Sequence, residues 1–373
     1  MRLALVEARR ALGRTFPNPA VGAVVFRGNR VLGRGRTRPP GGRHAEVDAL
    51  EQAQRRHGPA ALRGASLAVT LEPCCHHGRT GPCSDALIGA GIARVFVGHR
   101  DPAPHVAGGG LRALRRAGVE VRLGVLEAEC REQHRGFVSR LERGRPFVTL
   151  KLAASLDGRI ATAGGASRWI TGEPARAFVH RLRARTDAVM VGSSTALADD
   201  PELTARRGAR VLHRPVRVLF DSELRVGPSA RMFRDGPERS WVLCSRTAPI
   251  ARRHALAARG VRLLPLRPAR DGRPALRGAL ARLGTEGLGT LLVEGGGELA
   301  AALLRAGLVD ELLWIAAPRL IGSEGRPALG PLGVAELPDA PSLRVRRVRK
   351  LGADLMLEAL VEPMRSGAAR RMR

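Results

Sequence analysis

At 373 residues the chain is long for one core and suits two domains of ordinary size, and a 44% hydrophobic share supplies packed interiors rather than disorder. No apolar run approaches the roughly eighteen residues of a membrane span, and Arg9 and Arg10 break the N-terminal apolar pattern, so neither a span nor a secretory signal is read. The net charge of +29 is spread, with 25 arginines against 12 acidic residues in 1–145 and 38 basic against 22 acidic thereafter. With 3% aromatics and no tyrosine, this excludes a specific nucleic-acid surface as the leading reading.

The first half alternates apolar runs and helical spacing. Strands are expected over 20–26, 66–71, 93–97 and 119–123, and helices over 44–56, 84–90 and 109–117, with Gly91 and Gly118 as stop signals. This rhythm implies a sheet covered by helices. One amphipathic helix is expected over 126–141, and the charged Glu142-Arg143-Gly144-Arg145-Pro146 reads as a linker. The same alternation restarts with strands over 147–154, 187–192, 216–221, 240–244, 290–293, 311–317 and 355–361, and helices over 173–185 and 298–305. No internal repeat is visible, so two different α/β domains are expected, 1–143 and 146–363, followed by a basic tail over 364–373.

Chemistry concentrates at His44-Ala45-Glu46, Pro73-Cys74 and Cys83. One imidazole and two thiols form a zinc set that leaves a fourth position open, and Glu46 supplies a carboxylate for moving protons. Hydrolytic removal of an amino group from a nucleobase needs those parts. A structural zinc site would want a fourth ligand, for which Cys75, His76 and His77 are the candidates; Cys75 and Cys130 read better as small apolar groups. His76 and His77 read equally as substrate contacts or as loop polarity. Cys83 stands at a helix start, where a thiolate is favoured. Five cysteines, two of them adjacent, fit metal-binding thiolates in a reducing, cytoplasmic compartment better than disulfides.

In the second half, Glu294 ends an apolar strand, and Gly295, Gly296 and Gly297 lead into a helix, which reads as a pyrophosphate cradle. There is no Gly-x-Gly-x-x-Gly fingerprint in this half. Lys151 and Lys350 are the only lysines, so Lys151 invites a specific role.

Pro17-Asn18-Pro19-Ala20-Val21-Gly22, His44-Ala45-Glu46-Val47, Thr70-Leu71-Glu72-Pro73-Cys74 and the nine-residue step to Cys83 resemble the bifunctional riboflavin-biosynthesis deaminase/reductase family. Lys151 through Gly158, Ser167 through Thr171, Asp199-Asp200-Pro201 and Val293 through Gly297 continue the resemblance. It implies an α/β chain with an N-terminal cytidine-deaminase-like domain and a C-terminal dihydrofolate-reductase-like domain. His44, Cys74 and Cys83 would bind Zn2+, Glu46 would be the acid/base, and Asn18 would hold the pyrimidine. Lys151, Ser167, Arg183, Leu203, Arg206 and Glu294 would contact a phosphorylated pyrimidine substrate. Ala153, Trp169, Thr195, Asp199, Ser222, Gly296, Gly297 and Glu298 would contact NADPH. The implied sequence is deamination of the ribosylated diaminopyrimidinone 5′-phosphate, then reduction of its ribosyl chain. Homo-oligomerisation stays open.

Two departures stand out, Ala103 where the family usually has Asn and Gly81 where it usually has Pro. The alternatives are a tRNA or free-base deaminase, disfavoured by the long Cys74–Cys83 gap, and an RNA-binding protein with a metal-stabilised fold, which would explain the charge and little else.

Overall fold

The computed structural model describes residues 1–76, 81–104, 106, 108–268 and 274–362. The expectations for His77 and the tail over 364–373 therefore lie outside the described residues. The chain divides into two compact units, Met1–Arg145 with Gly287–Gly289, and Pro146–Glu286 with Thr290 onward.

The first unit runs α1 (Arg2–Ala11), β1 (Gly22–Arg27), β2 (Arg30–Arg36), α2 (Ala45–His57), β3 (Ser66–Leu71), α3 (Cys83–Gly89), β4 (Arg94–His99), α4 (Gly109–Arg116), β5 (Glu120–Leu123), α5 (Glu127–Gln133) and α6 (Arg135–Arg143). The sheet order is β2-β1-β3-β4-β5, with β1 antiparallel to both neighbours and β3, β4 and β5 parallel. Every residue of β3 is buried, as a strand covered on both faces requires. Its Leu67 and Val69 join Val95 and Val97 of β4 in one core with Ala49 and Ala53 of α2.

Small residues set the position of α2. A Cβ on Gly35 would lie 2.1 Å from the Ala45 carbonyl oxygen, and one on Gly33 would lie 2.3 Å from that of Ala49. Only glycine lets the helix backbone press this closely on β2, and that contact fixes where His44 and Glu46 sit. The open edge of β2 is also closed by α2. The Arg34 N–H donates to Gln52 Oε1 at 2.8 Å and the Arg36 N–H to Asp48 Oδ2 at 3.1 Å. Two acceptors one helical turn apart thus satisfy two strand donors two residues apart, which removes a template for edge pairing.

The helix expected over 126–141 is two helices, broken at His134 with φ −101° and ψ 15°. The break serves a buried polar contact, because the His134 ring nitrogen Nε2 lies 3.0 Å from Thr70 Oγ1 in β3. Burial, with His99 adding to it, pushes this imidazole down to about 3, so it is neutral at ordinary pH.

The second unit opens with β6 (Phe147–Ser155), β7 (Arg159–Ala161), α7 (Glu173–Arg183), β8 (Ala188–Gly192), α8 (Ser193–Asp199), β9 (Ala205–Arg207) and β10 (Arg210–His213). It continues through β11 (Val216–Phe220), β12 (Ser240–Ser245), α9 (Ile250–Ala258), β13 (Arg262–Leu266), α10 (Leu276–Thr285), β14 (Thr290–Val293) and α11 (Gly297–Arg305). The last strands are β15 (Glu311–Ala317), β16 (Arg326–Pro327), β17 (Leu343–Leu351) and β18 (Asp354–Val361). Nine strands form one sheet in the order β13-β12-β11-β8-β14-β6-β15-β18-β17, parallel from β13 to β15 and antiparallel over the last two pairs. Of the adjacent parallel strands β8 and β14, the first runs directly into α8 and the second reaches α11 through Glu294-Gly295-Gly296, both at their carboxyl ends. A crevice of that kind is where open α/β sheets take ligands.

Candidate active sites

Three chain segments converge on the first site. His44 is the N-cap of α2, Cys74 follows β3 after Pro73, and Cys83 is the first residue of α3. His44 Nδ1 lies 3.2 Å from Cys83 Sγ and 3.6 Å from Cys74 Sγ. All three donor atoms fall within 4.8 Å of one another, and among the described residues this is the one cluster of its kind. One nitrogen and two sulfurs at that spacing fit Zn2+ with a coordination position to spare.

Cys75 does not join the set. A Cβ on Gly109 would lie 2.5 Å from Cys75 Sγ, so this thiol packs against α4. Cys130 is buried in the same way against Gly98, whose added Cβ would lie 2.4 Å from its sulfur. The helix start acts on the other thiol than the one expected, because the Cys83 N–H donates to Cys74 Sγ at 3.3 Å.

The electrostatics follow from this geometry. A hydrogen bond from the Cys83 thiol brings Cys74 down to about 4 against the effect of burial, and His44 acts in the same direction. That same bond, then burial, pushes Cys83 up. The pair therefore keeps one proton between two sulfurs, which a bound dication would displace. The hydrogen bond to Cys74 raises His44. Glu46, buried in the first turn of α2, is pushed up to about 7 by burial and next by the Cys74 thiolate. A carboxyl there can both take and give a proton near neutral pH.

Glu72 sits beside this site in a role that the sequence motif does not reveal. Its buried carboxylate accepts four backbone N–H bonds, from Asp101 and Gly108 on Oε2, both at 3.1 Å, and from Gly110 at 3.1 Å and Leu111 at 3.2 Å on Oε1. It ties the segment after β4 and the first turn of α4 to the Pro73-Cys74 corner. A Cβ on Gly110 would lie 1.9 Å from the Pro73 carbonyl oxygen, so the contact demands glycine. Ala103 sits buried in this segment, its N–H donating to Asp101 Oδ1 at 2.8 Å. Asn18 is exposed between α1 and β1, with its backbone N–H on the Thr15 carbonyl at 2.7 Å.

The second site centres on Glu294, just beyond β14. Arg183 of α7 grips it through Nε to Oε1 at 2.6 Å and Nη2 to Oε2 at 3.1 Å, while Lys151 Nζ of β6 lies 3.2 Å from Oε2. Burial opposes ionisation, but Arg183 and then Lys151 outweigh it and hold this carboxyl at about 2. Arg183 Nη1 also donates to the Thr204 carbonyl at 3.1 Å, and Thr204 Oγ1 accepts from Arg206 Nε at 2.8 Å. Lys151, Glu294, Arg183 and Arg206 thus form one connected polar chain. Arg206 also pairs with Glu202, which pairs in turn with Arg231. Leu203 is buried with φ 54°, which turns the chain between Glu202 and Thr204.

Gly296 is the N-cap of α11, and its N–H donates to Thr195 Oγ1 of α8 at 2.9 Å. A Cβ on Gly297 would lie 2.8 Å from the Pro327 carbonyl oxygen, so close chain approach requires this glycine. Glu298 lies in the first turn of the same helix. Trp169 is exposed, with the Arg176 guanidinium 4.5 Å from its ring centre. The Asp199 carbonyl accepts from Arg168 at 2.9 Å, and the Ser222 carbonyl accepts from the Ser245 N–H at 2.9 Å. Ala153 lies on β6 opposite Ile315, and Ser167 in the loop before Trp169. No side-chain hydrogen bond among the described residues joins Ser167, Ser222 or Asn18 to either polar cluster.

Comparison with known proteins agrees with both halves. The family described as cytidine and deoxycytidylate deaminase zinc-binding region matches residues 1–99, and the RibD C-terminal domain matches 146–357. The riboflavin biosynthesis protein RibD of Escherichia coli K12 is 40% identical over 368 residues, covering 96% of this chain and 97% of the relative. That of Aquifex aeolicus is 39% identical over 357 residues, with 96% of each chain covered. The solved RibD of Acinetobacter baumannii is 35% identical with TM-score 0.86 over 97% of each chain. A deaminase/reductase structure from Thermotoga maritima is 33% identical with TM-score 0.84 over 97% of each. This chain belongs to the bifunctional riboflavin-biosynthesis deaminase/reductase family, a zinc-dependent pyrimidine deaminase joined to an NADPH-dependent reductase.

Proposed function

We propose that residues 1–143 carry the deamination and 146–363 the reduction, with the roles divided as follows. The observation that carries the reading is the His44, Cys74 and Cys83 donor set with Glu46 buried in the same helix turn as His44. His44, Cys74 and Cys83 would hold Zn2+, which when bound would supply the Lewis acidity that makes water a nucleophile at neutral pH. Glu46 takes one proton from the water and passes it to the ring nitrogen, then takes the second from the added hydroxyl and passes it to the departing amine, so that N=C–NH2 and water become HN–C=O and ammonia. Asn18 holds the pyrimidine. Glu72 keeps the Cys74 corner in place.

In the second unit, Arg206 takes the ribose phosphate through its planar guanidinium, and Arg183, Ser167 and Leu203 line the substrate. Glu294 and Lys151 face the sugar, where the ammonium polarises the opened chain and the carboxylate, 3.2 Å from it, fixes its position. NADPH, when bound, would supply the hydride. Thr195, Gly296, Gly297 and Glu298 would seat its phosphates at the start of α11, with Ala153, Trp169, Asp199 and Ser222 along the remainder. The partners are small phosphorylated pyrimidines. A reducing, cytoplasmic compartment fits five cysteines that are all free; among the described residues no helix is long and apolar enough to cross a membrane.

Chelation of the metal is the test. Ammonia release from the diaminopyrimidinone phosphate should stop and return with added Zn2+, while NADPH oxidation with the deaminated pyrimidine continues. Ammonia release that survives complete metal removal would overturn the reading.

A further inference from the structure

On the first unit, a cavity of ≈ 340 Å³ lies among α1, β2 and α2, and none of its lining residues is a metal donor or Glu46. We propose that this cavity binds a small oligophosphate anion, of the pyrophosphate to nucleoside-triphosphate class.

Five arginines line it: Arg10, Arg34, Arg36, Arg38 and Arg56. Two buried carboxylates act as struts beneath them. Glu7 accepts from Arg10 Nη1 at 2.8 Å and from Arg36 Nη1 at 3.3 Å. Asp48 Oδ1 accepts from Arg38 Nε at 3.0 Å and Nη2 at 2.9 Å, and its other oxygen takes the Arg36 N–H. All four carboxylate oxygens are therefore committed, and three guanidinium groups are held in fixed positions with donors to spare. Arg34 and Arg56 have no carboxylate partner among the described residues, so the lining keeps a net excess of positive charge.

Position separates this cavity from the metal site. Two residues along a helix rotate the side chain by about 200°, so Asp48 points away from Glu46 although both lie in the first turn of α2. Shape selects the ligand. An Arg-rich sequence scatters solvated guanidiniums over convex surface, whereas these five converge on a concave volume within the usual size of small-ligand sites. No aromatic residue lines it, so it offers no stacking platform for a nucleic-acid strand. Rigid guanidinium forks match phosphate oxygens bidentately.

The test is calorimetric titration of the full-length, zinc-loaded protein at about 0.15 M salt, with sodium tripolyphosphate, pyrophosphate and ATP as separate probes. With the reductase cofactor site first saturated with NADPH, one saturable site per chain is expected. An Arg34→Ala/Arg56→Ala variant, in which both altered side chains are exposed, should bind more weakly by roughly tenfold for each guanidinium removed. An Arg252→Ala/Arg253→Ala control on α9 loses the same charge and should bind as wild type. Arg206→Ala should also bind as wild type, which separates this cavity from the reductase site. Equal affinity for tripolyphosphate and ATP would identify the phosphate chain as the ligand, and tighter ATP would identify a nucleotide. Absence of saturable binding, equal weakening in the control, or loss of binding in Arg206→Ala would overturn the proposal. So would an RNA oligomer that binds the same residues more tightly than tripolyphosphate.

Discussion

Arg183 and Glu294 meet through two parallel N–H···O bonds, Nε to Oε1 at 2.6 Å and Nη2 to Oε2 at 3.1 Å, with both side chains largely buried. Removing one member of such a pair leaves a desolvated charge, which costs about 3–5 kcal/mol. Arg183→Ala should destabilise the second unit by that order, and Arg183→Ala/Glu294→Ala by clearly less than the sum of the single losses. Urea unfolding followed by tryptophan fluorescence reads this cleanly, because Trp169, Trp241 and Trp314 all lie in the second unit. Additive losses would refute the coupling.

The same pair sets an acid limit on that unit. In the unfolded chain the Glu294 carboxyl takes a proton near its ordinary value of 4.5, whereas the native state holds it at about 2. The stability it contributes is therefore complete above 4.5 and is lost as pH falls toward 2. Urea midpoints by tryptophan fluorescence should fall through that window in wild type and fall less steeply in Glu294→Gln. Identical pH slopes would contradict the assignment.

How much of this could be read from the sequence differs between elements. β3 and β15 fall where apolar runs place them, because strands buried in a sheet interior must be apolar. β2 and β17 were not expected. β2 carries Arg30, Arg34 and Arg36 around Gly33 and Gly35, and β17 carries Arg344, Arg346, Arg347 and Arg349. β17 is an exposed sheet edge, and in β2 the buried positions against α2 include Gly33 and Gly35, which carry no apolar side chain, so neither strand gives a hydrophobic signal. The break at His134 was invisible for a related reason, since it answers to Thr70, sixty-four residues away. The candidate metal donors, His44, Cys74 and Cys83, were legible as a cluster because metal chemistry restricts residue type. The four-N–H seat of Glu72 was not, since backbone donors leave no trace in side-chain identity.

Glu72 therefore makes its own prediction. Glu72→Gln replaces one acceptor oxygen with a donor, leaving two buried backbone N–H groups unmet. Outer-sphere losses of this kind cost about 10–100-fold in metal affinity. Zn2+ affinity measured by chelator competition should drop by that order, and a Co2+-substituted sample should show altered thiolate charge-transfer bands. NADPH oxidation by the second unit should stay at the wild-type rate. Unchanged metal affinity and spectrum would show that the carboxylate does not position Cys74.

The most direct test of two separate chemistries in one chain is a complementation assay started from the diaminopyrimidinone phosphate with NADPH. Glu46→Gln should release no ammonia yet oxidise NADPH when given the deaminated pyrimidine. Glu294→Gln should release ammonia at the wild-type rate and oxidise no NADPH, and the two variants mixed should restore the ribitylamino product. Wild-type ammonia release by Glu46→Gln would contradict the account at its centre.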